Sequence, residues 1–498
     1  MAQSVARRLF AQGGIYTLSR LFNQFTRLIL LPVYALIGAQ GVGIINLLWS
    51  IGSFLGFIYA QGLHGAWFRL RFDRKDRASQ KELECTIVWY LLASGAIGVV
   101  ALALVGPALF PLITTEVGFY PLGFLTTLTA ALLMFPNLYE RKLQAEQRPI
   151  QYAIFTAART GLGLLLILFF ILVLKRGAAG KVEADAIAAG LVALAALALI
   201  RPSRIRSFSL STLAASLRYG LPLLPHSLAG LTNEVIDRIL ISRVLGLGST
   251  GVYSMGYNLA SLTGIVATAL NQAYSTLFIQ SIRESIEKPE EMRRETFRLV
   301  ARAGLQMTAF VACVGLAVST VAREALEVLP GTDFDQSWRV VPPVAAAGVS
   351  MAGYYVFSQS IVYETSRIGL LARISITAAI TNIAANLLLL NATGSFLGAA
   401  WATFLSNTTM ALGGLWLGQT TLRLPHKWLS WITLVASLGI GLAALYLLDD
   451  GIPSPAVRFP LKVLAAGIAA ILVLRSAGVS RKTLDTLPIL RDFRGKRS

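Results

Sequence analysis

The sequence predicts an all-α polytopic membrane protein: about fourteen transmembrane helices in two pseudo-symmetric six-helix lobes, plus two C-terminal helices. Three observations predict it. Apolar residues make up 55% of the chain against 14% charged, and they fall in runs of about 18 to 25 separated by short polar loops. Lysine and arginine concentrate in alternate loops. One unusual pattern also occurs twice, about 210 residues apart: an apolar segment bearing charge, a Gly-x-x-Gly-Val turn, then another apolar segment. The first copy runs from Arg20, Asn23, Gln24 and Arg27 to Gly38-Ala39-Gln40-Gly41-Val42. The second runs from Glu234, Asp237 and Arg238 to Gly248-Ser249-Thr250-Gly251-Val252.

The predicted helices begin near Gly13, Val42, Leu83, Pro121, Ile150, Ala184, Tyr219, Gly251, Phe297, Trp338, Ala372, Phe396, Leu429 and Phe459. The first follows Arg7 and Arg8, but it is long, is interrupted by Arg20 and Arg27, and has no cleavage site; it reads as a span, not a signal peptide. In the second, Gly52 and Gly56 suit close helix packing. The internal match places an N-terminal lobe at 1–200, a basic cytoplasmic linker at 201–218, and a C-terminal lobe at 219–420. Residues 421–498 supply two further helices and a basic tail. The charged segment from Ile282 to Arg298, with Pro289 within it, reads as a surface helix pair.

Orientation follows from the loops. One alternate set carries Arg69, Arg71, Arg74, Lys75, Arg77 and Lys81, then Arg141, Lys142 and Arg148, then Arg201, Arg204 and Arg206, and later Arg283, Arg293, Arg367, Arg423 and Lys427. Basic residues beside spans are retained in the cytoplasm, so both termini are placed there. Lys175, Arg176, Lys181, Arg323 and Arg458 are exceptions in the other set.

Composition also excludes. A net charge of +19 would suggest nucleic acid in a soluble chain, but here the basic residues flank spans instead of forming an aromatic-interleaved face. Cys85 and Cys313 lie far apart, and His64, His226 and His426 are scattered as local hydrogen-bonding residues, so no disulfide framework or metal site is expected. No nucleotide or hydrolase fingerprint is present, and no cofactor is expected. Loops of the non-cytoplasmic set stay below about 17 residues, too short for the external catalytic domain of a glycan polymerase or ligase.

Charge inside a span is a functional hypothesis by default. Arg20, Asn23, Gln24 and Arg27 lie at i, i+3, i+4 and i+7 and share one helix face. Arg27 sits about 20 Å from the cytoplasmic end, too deep to snorkel easily, whereas Arg20 can. Arg27 either faces a cavity or pairs with an acid on a neighbouring span. Arg159 lies roughly 14 Å deep with no acid one turn away on its own helix, a second cavity cation. Arg238 has Glu234 at i−4 and Asp237 beside it, so the cluster either neutralises itself or leaves one acid as an ion-coupling site. Tyr253 with Tyr257, Asn382 with Asn386, Thr403 with Asn407, and Tyr354, Tyr355 and Gln359 form polar stripes. Such stripes suit a sugar headgroup in a wet cavity, or hydrogen bonding between helices.

Tyr219-Gly220-Leu221-Pro222-Leu223-Leu224-Pro225, Asp237-Arg238-Ile239-Leu240-Ile241-Ser242, Leu245-Gly246 and Gly251-Val252-Tyr253-Ser254 resemble the middle of the Wzx-like polysaccharide flippases, O-antigen and exopolysaccharide exporters of the multidrug/oligosaccharidyl-lipid/polysaccharide superfamily with its MATE-like fold. Gly62-Leu63 with Arg69, and Asn386 with Gly394 and Gly398-Ala399-Ala400-Trp401-Ala402-Thr403, extend the resemblance. It implies two six-helix lobes around a cavity open alternately to each side. The implied substrate is an undecaprenyl-diphosphate-linked oligosaccharide moved outward for lipopolysaccharide or other surface polysaccharide, with a cationic cavity for the diphosphate. By position Arg27, Arg159, Arg20 and Arg238 would serve, lined by Asn23, Gln24, Tyr253, Tyr257, Asn382, Asn386 and Asn407, with Glu234 or Asp237 as coupling sites. Expected partners are membrane lipids, the lipid-linked glycan and polysaccharide polymerase or assembly proteins. The competing readings are a cation-coupled multidrug exporter of the same superfamily and a non-transporting scaffold of a glycan assembly complex.

Overall fold

A computed structural model of the 498-residue protein describes residues 26, 29–74, 76–201, 207–287, 289–329, 331, 333–367 and 369–479. Arg20, Asn23, Gln24 and Arg27, all on the first predicted span, lie outside them, as do the side chains of His226 and Glu234. Among the described residues the regular structure is entirely helical, with sixteen α-helices. We label them α1 Leu31–Ala35, α2 Gly38–Ala60, α3 Leu63–Arg71, α4 Arg77–Leu109, α5 Phe124–Leu132, α6 Met134–Ala145, α7 Pro149–Leu168 and α8 Gly177–Ile200. They continue as α9 Leu210–Gly220, α10 Leu224–Ser285, α11 Glu290–Glu327, α12 Val341–Tyr363, α13 Gly369–Thr393, α14 Leu397–Thr421, α15 Trp428–Gly451 and α16 Pro455–Ser476.

The helix ends follow local chemistry. Asp76 accepts the Ser79 N–H at 2.7 Å to start α4, and Ser209 accepts that of Thr212 to start α9. Pro149 and Pro455 occupy first turns, where no N–H is missed. Helices α4 and α11 start earlier than Leu83 and Phe297, because apolarity marks only the part in hydrocarbon while charged residues prolong the helix beyond it. Pro289 is the residue that caps α11, so the charged segment is two helix ends and a tight turn.

Among the described residues ten helical segments are long and apolar enough to cross a membrane: Gly38–Ala60, Arg77–Leu112, Phe119–Ala145, Pro149–Val173, Gly177–Ile200, Glu290–Glu327, Ser337–Tyr363, Gly369–Thr393, Trp428–Gly451 and Pro455–Ser476. Helices α10 and α14 are not among the ten. They carry several of the polar stripes singled out in the sequence, including Asp237, Arg238, Tyr253, Tyr257, Thr403 and Asn407. Large apolar side chains such as Leu104, Leu388 and Ile440 point outward, as a hydrocarbon solvent requires.

By packing, the chain divides into two compact units, residues 1–254 and 255–498. In the first, Trp67, Leu83, Ile87, Leu91, Met134 and Leu138 form a hydrophobic core. In the second, Phe278, Leu316, Val356, Leu438 and Val473 do so, and the terminal helices α15 and α16 are part of that core. Of the Gly-x-x-x-Gly pair in α2, Gly52 meets the Thr126 methyl, while Gly56 faces open space.

Candidate functional site

Helix α10 is broken at Gly246, whose backbone (φ 87°, ψ 174°) is accessible to glycine and strained for any other residue. The break creates two arms, residues 224–245 and 247–285. The amide of Leu247, first residue of the second arm, donates to Glu116 Oε1 at 2.7 Å. Gln40 Nε2 donates to Glu116 Oε2 at 3.3 Å. One carboxylate thus caps the new helix start, where anions are favoured, and touches the first turn of α2 as well.

The two repeated segments, predicted as turns, are instead the first turns of helices, α2 and the second arm of α10, and they meet each other. A Cβ on Gly43 would lie 1.9 Å from the Leu247 carbonyl oxygen, and one on Gly251 would lie 1.8 Å from that of Ala39. The glycines therefore serve a backbone-to-backbone helix crossing, a role the sequence pattern left unstated. Gly248, equally prominent in the motif, has open space around it. A second such contact lies at the other end of α2, where a Cβ on Gly62 would sit 2.5 Å from the Gly220 carbonyl oxygen. Glycine contacts thus lie at both ends of α2, one against the start of the second arm of α10 and the other against the end of α9.

Between those contacts the buried charges sit. Asp237 and Tyr253 are fully buried and Arg238 is 2% exposed. The Tyr253 hydroxyl donates to Asp237 Oδ2 at 2.5 Å, joining the arm before the break to the arm after it. The Arg238 guanidinium lies 5.7 Å from the Trp49 ring and 6.0 Å from that of Tyr253, at cation–π range. Adjacent residues on a helix do not face each other, so Asp237 and Arg238 act in different directions. Trp49 was missed in the sequence because an aromatic in an apolar run gives no signal of its own.

Arg159 has an acid on a neighbouring helix. Its Nη1 donates to Glu140 Oε1 at 2.7 Å and to Asn137 Oδ1 at 3.0 Å, both on α6, in a half-buried setting. Glu140 lies 19 residues before Arg159, out of reach of any one-turn rule.

In the second unit the polar stripes hold helices together. Asn382 and Asn386 are fully buried, and Asn386 Nδ2 donates to the Asn382 carbonyl at 3.0 Å. Ser406 Oγ donates to Ala378 O at 2.8 Å, and Asn407 Nδ2 to Ala347 O at 3.1 Å, bridging α14 to α13 and α12. A wetter pair joins the second arm of α10 to α12: Gln359 Nε2 donates to Asn271 Oδ1 at 2.9 Å, and Thr268 lies 3.3 Å from the Tyr355 hydroxyl. Tyr257, on the same arm, is half-buried. Asn271 and Thr268, one turn apart, were legible as a polar stripe but were not singled out.

Four of the five exceptions to the charge rule, all but Lys175, are paired with acids. Arg176 binds Glu183 at 2.6 Å, and Lys181 binds Asp185. Arg458 and Lys462 of α16 are fully buried: Arg458 reaches Glu324 at 3.0 Å and Glu327 at 2.7 Å, and Lys462 reaches Glu324 at 2.7 Å and Asp449 at 2.8 Å. Arg323 binds Glu327 at 2.7 Å and donates to the Asp449 carbonyl. Three acids and three bases from α11, α15 and α16 thus close a network in low dielectric. Among the histidines, His64 contacts Met134 O at 2.8 Å, and burial holds its ring below the usual range. His426 instead packs against Phe357 and Trp431, with its pKa pushed down to about 4 by burial. Among the described residues no cluster of metal-ligating side chains occurs.

The fold has solved counterparts. The chain superposes on a structure described as lipid II flippase MurJ in an inward closed conformation with a TM-score of 0.71, 12% identity, and coverage of 92% of this chain and 97% of that one. An inward-facing multidrug resistance MATE family transporter of the MOP superfamily gives 0.64, with 14% identity and coverage of 81% and 97%. In sequence, the lipopolysaccharide biosynthesis protein WzxC of Escherichia coli (strain K12) is 26% identical over 137 residues, which is 28% of this chain and 26% of that protein. Both solved structures are described as membrane transporters, and at these identities the likeness shows the fold. A family profile described as "Polysaccharide biosynthesis protein" matches residues 9–276, more than half of the chain, and the protein belongs to that family.

Proposed function

We propose that this protein translocates a lipid-linked oligosaccharide, carried on undecaprenyl diphosphate, from the cytoplasmic to the outer leaflet by alternating access. The fourteen passes of this reading are the span predicted from Gly13, which lies outside the described residues, then α2, α4, α5 with α6, α7, α8, the two arms of α10, and α11 to α16. The even number and the basic loops place both termini in the cytoplasm. Two six-helix lobes and an appended helix pair follow from that count. The lipid tail stays in the bilayer while the headgroup enters a cavity whose cations, Arg27, Arg159, Arg20 and Arg238, attract the diphosphate. Tyr257 and the Asn271–Gln359 surface offer hydrogen bonds to sugar hydroxyls. Expelling about two negative charges across 100 mV gains roughly 4 to 5 kcal/mol, and Asp237 is the candidate for coupling to an ion as well.

The observation that supports this reading best is the glycine crossing of Gly43 and Gly251. A junction held by close backbone approach and one bridging carboxylate is suited to separate and re-form, as an alternating gate must. The polysaccharide cargo is favoured over a drug by the family and by the curated relative's name. Arg27→Ala at normal protein level is expected to leave lipid-linked glycan on the cytoplasmic leaflet; undiminished glycan export in that variant would remove Arg27 from the substrate site.

A further inference from the structure

The second unit carries a crevice that the transport reading does not use. It lies where α14 ends and α15 begins, has a volume of about 570 Å³, and is walled by Leu412, Leu415, Trp416 and Trp428. That volume is in the range of built small-molecule sites. Trp416 is 71% exposed and Trp428 46%, so two large aromatic faces stand open on membrane helices near their ends, the depth at which tryptophan sits in the headgroup region. The floor and mouth are fixed in place. Gln419 exchanges two hydrogen bonds with the backbone of Leu424, at 3.3 Å and 3.2 Å, and Arg367 Nη1 donates to the Thr420 carbonyl at 3.2 Å. Behind the turn, buried His426 packs on Phe357 and Trp431.

The charge at the mouth is one-sided. Arg423 lines the crevice and is exposed, and Lys427 is exposed beside it. Between Glu364 and Asp449 the sequence contains no acidic residue, while Arg367, Arg373, Arg423 and Lys427 all lie there. Apolar aromatic walls beside Arg423, with no acid among the lining residues, match one kind of occupant. We propose that this crevice is a binding site for an anionic phospholipid, with an acyl chain between Trp416 and Trp428 and the phosphate against Arg423. Bound there, the lipid would brace the junction between α14 and α15, where the appended helix pair joins the chain.

The test uses the full-length protein in nanodiscs of phosphatidylcholine containing increasing brominated phosphatidylglycerol or, separately, brominated phosphatidylcholine. Bromine quenches nearby tryptophan, and the difference from a Trp416→Phe/Trp428→Phe protein isolates the crevice signal. The expected result is half-maximal quenching at about fivefold lower mole fraction of the anionic lipid, the effect of one basic residue at a membrane surface, with that preference lost in Arg423→Gln. Soluble glycerol phosphate is expected not to compete. Equal quenching by the two lipids, an unchanged preference in Arg423→Gln, or displacement by glycerol phosphate would each overturn the proposal. Glycan export enters none of these readouts, so the site stands or falls apart from the transport reading.

Discussion

The Tyr253 hydroxyl donates to the Asp237 carboxylate at 2.5 Å across the helix break at Gly246, so one hydrogen bond ties the first arm to the start of the second. Both residues are fully buried, where a charged-group hydrogen bond is worth more than at a surface. Tyr253→Phe is expected to lower unfolding stability in detergent by about 1 to 3 kcal/mol. Asp237→Asn, which keeps a polar partner for Tyr253, is expected to fold normally and to lose any dependence of transport on the proton gradient. Retained proton dependence in that variant would exclude Asp237 as the coupling group.

The glycine crossing makes a sharper contrast. A methyl at Gly43 or Gly251 would fall within 2 Å of a backbone oxygen, and no side-chain rotation relieves that. Gly43→Ala and Gly251→Ala should each destabilise the crossed state by about 2 kcal/mol or more and reduce transport while membrane insertion stays normal. Gly56→Ala and Gly248→Ala, which meet nothing within 4 Å, serve as controls expected to be neutral. Matching effects in all four, measured as export at equal protein level, would show the contact to be irrelevant.

Much of this architecture was legible in the sequence because hydrocarbon imposes length and apolarity on each pass. The predicted positions from Val42 to Phe459 fall in or directly beside described helices, and the repeated glycine motif marked the segments that meet. Partnerships were not legible. Arg159 with Glu140, Arg458 with Glu324 and Glu327, and Leu247 with Glu116 are contacts between helices or loops distant in the chain, set by tertiary packing and not by spacing. Likewise Asn382 and Asn386 show the pattern of a lining stripe, and in the structure both are fully buried on α13, with Asn386 Nδ2 donating to the Asn382 carbonyl one turn back.

The ion network of α11, α15 and α16 gives a stability prediction. Lys462→Met leaves Asp449 and Glu324 short of a cation in a buried site, and removing one partner of such a network costs about 3 to 5 kcal/mol. Adding Asp449→Asn should recover part of that loss. Thermal unfolding of the purified single and double variants checks it, and a double variant less stable than Lys462→Met would contradict the pairing.

Acid should act through His426. Its pKa is pushed from the ordinary 6.5 down to about 4 in the folded protein, so the unfolded chain binds the proton first as pH falls. Stability from this neutral histidine is full above about pH 6.5, declines as pH falls toward 4, and amounts to about 2 to 3 kcal/mol. His426→Phe is expected to flatten the melting-temperature profile between pH 6.5 and 4.5. A profile as steep as that of the unaltered protein would assign the acid sensitivity elsewhere.

The central claim is outward movement of a lipid-linked glycan, and the direct measurement is its leaflet distribution in cells depleted of this protein. Labelling with a membrane-impermeant glycan-oxidising reagent, before and after permeabilisation, reports the fraction facing outward. The account predicts that depletion raises the total pool while the outward-facing fraction collapses. An outward-facing fraction that stays unchanged when the protein is gone would contradict it.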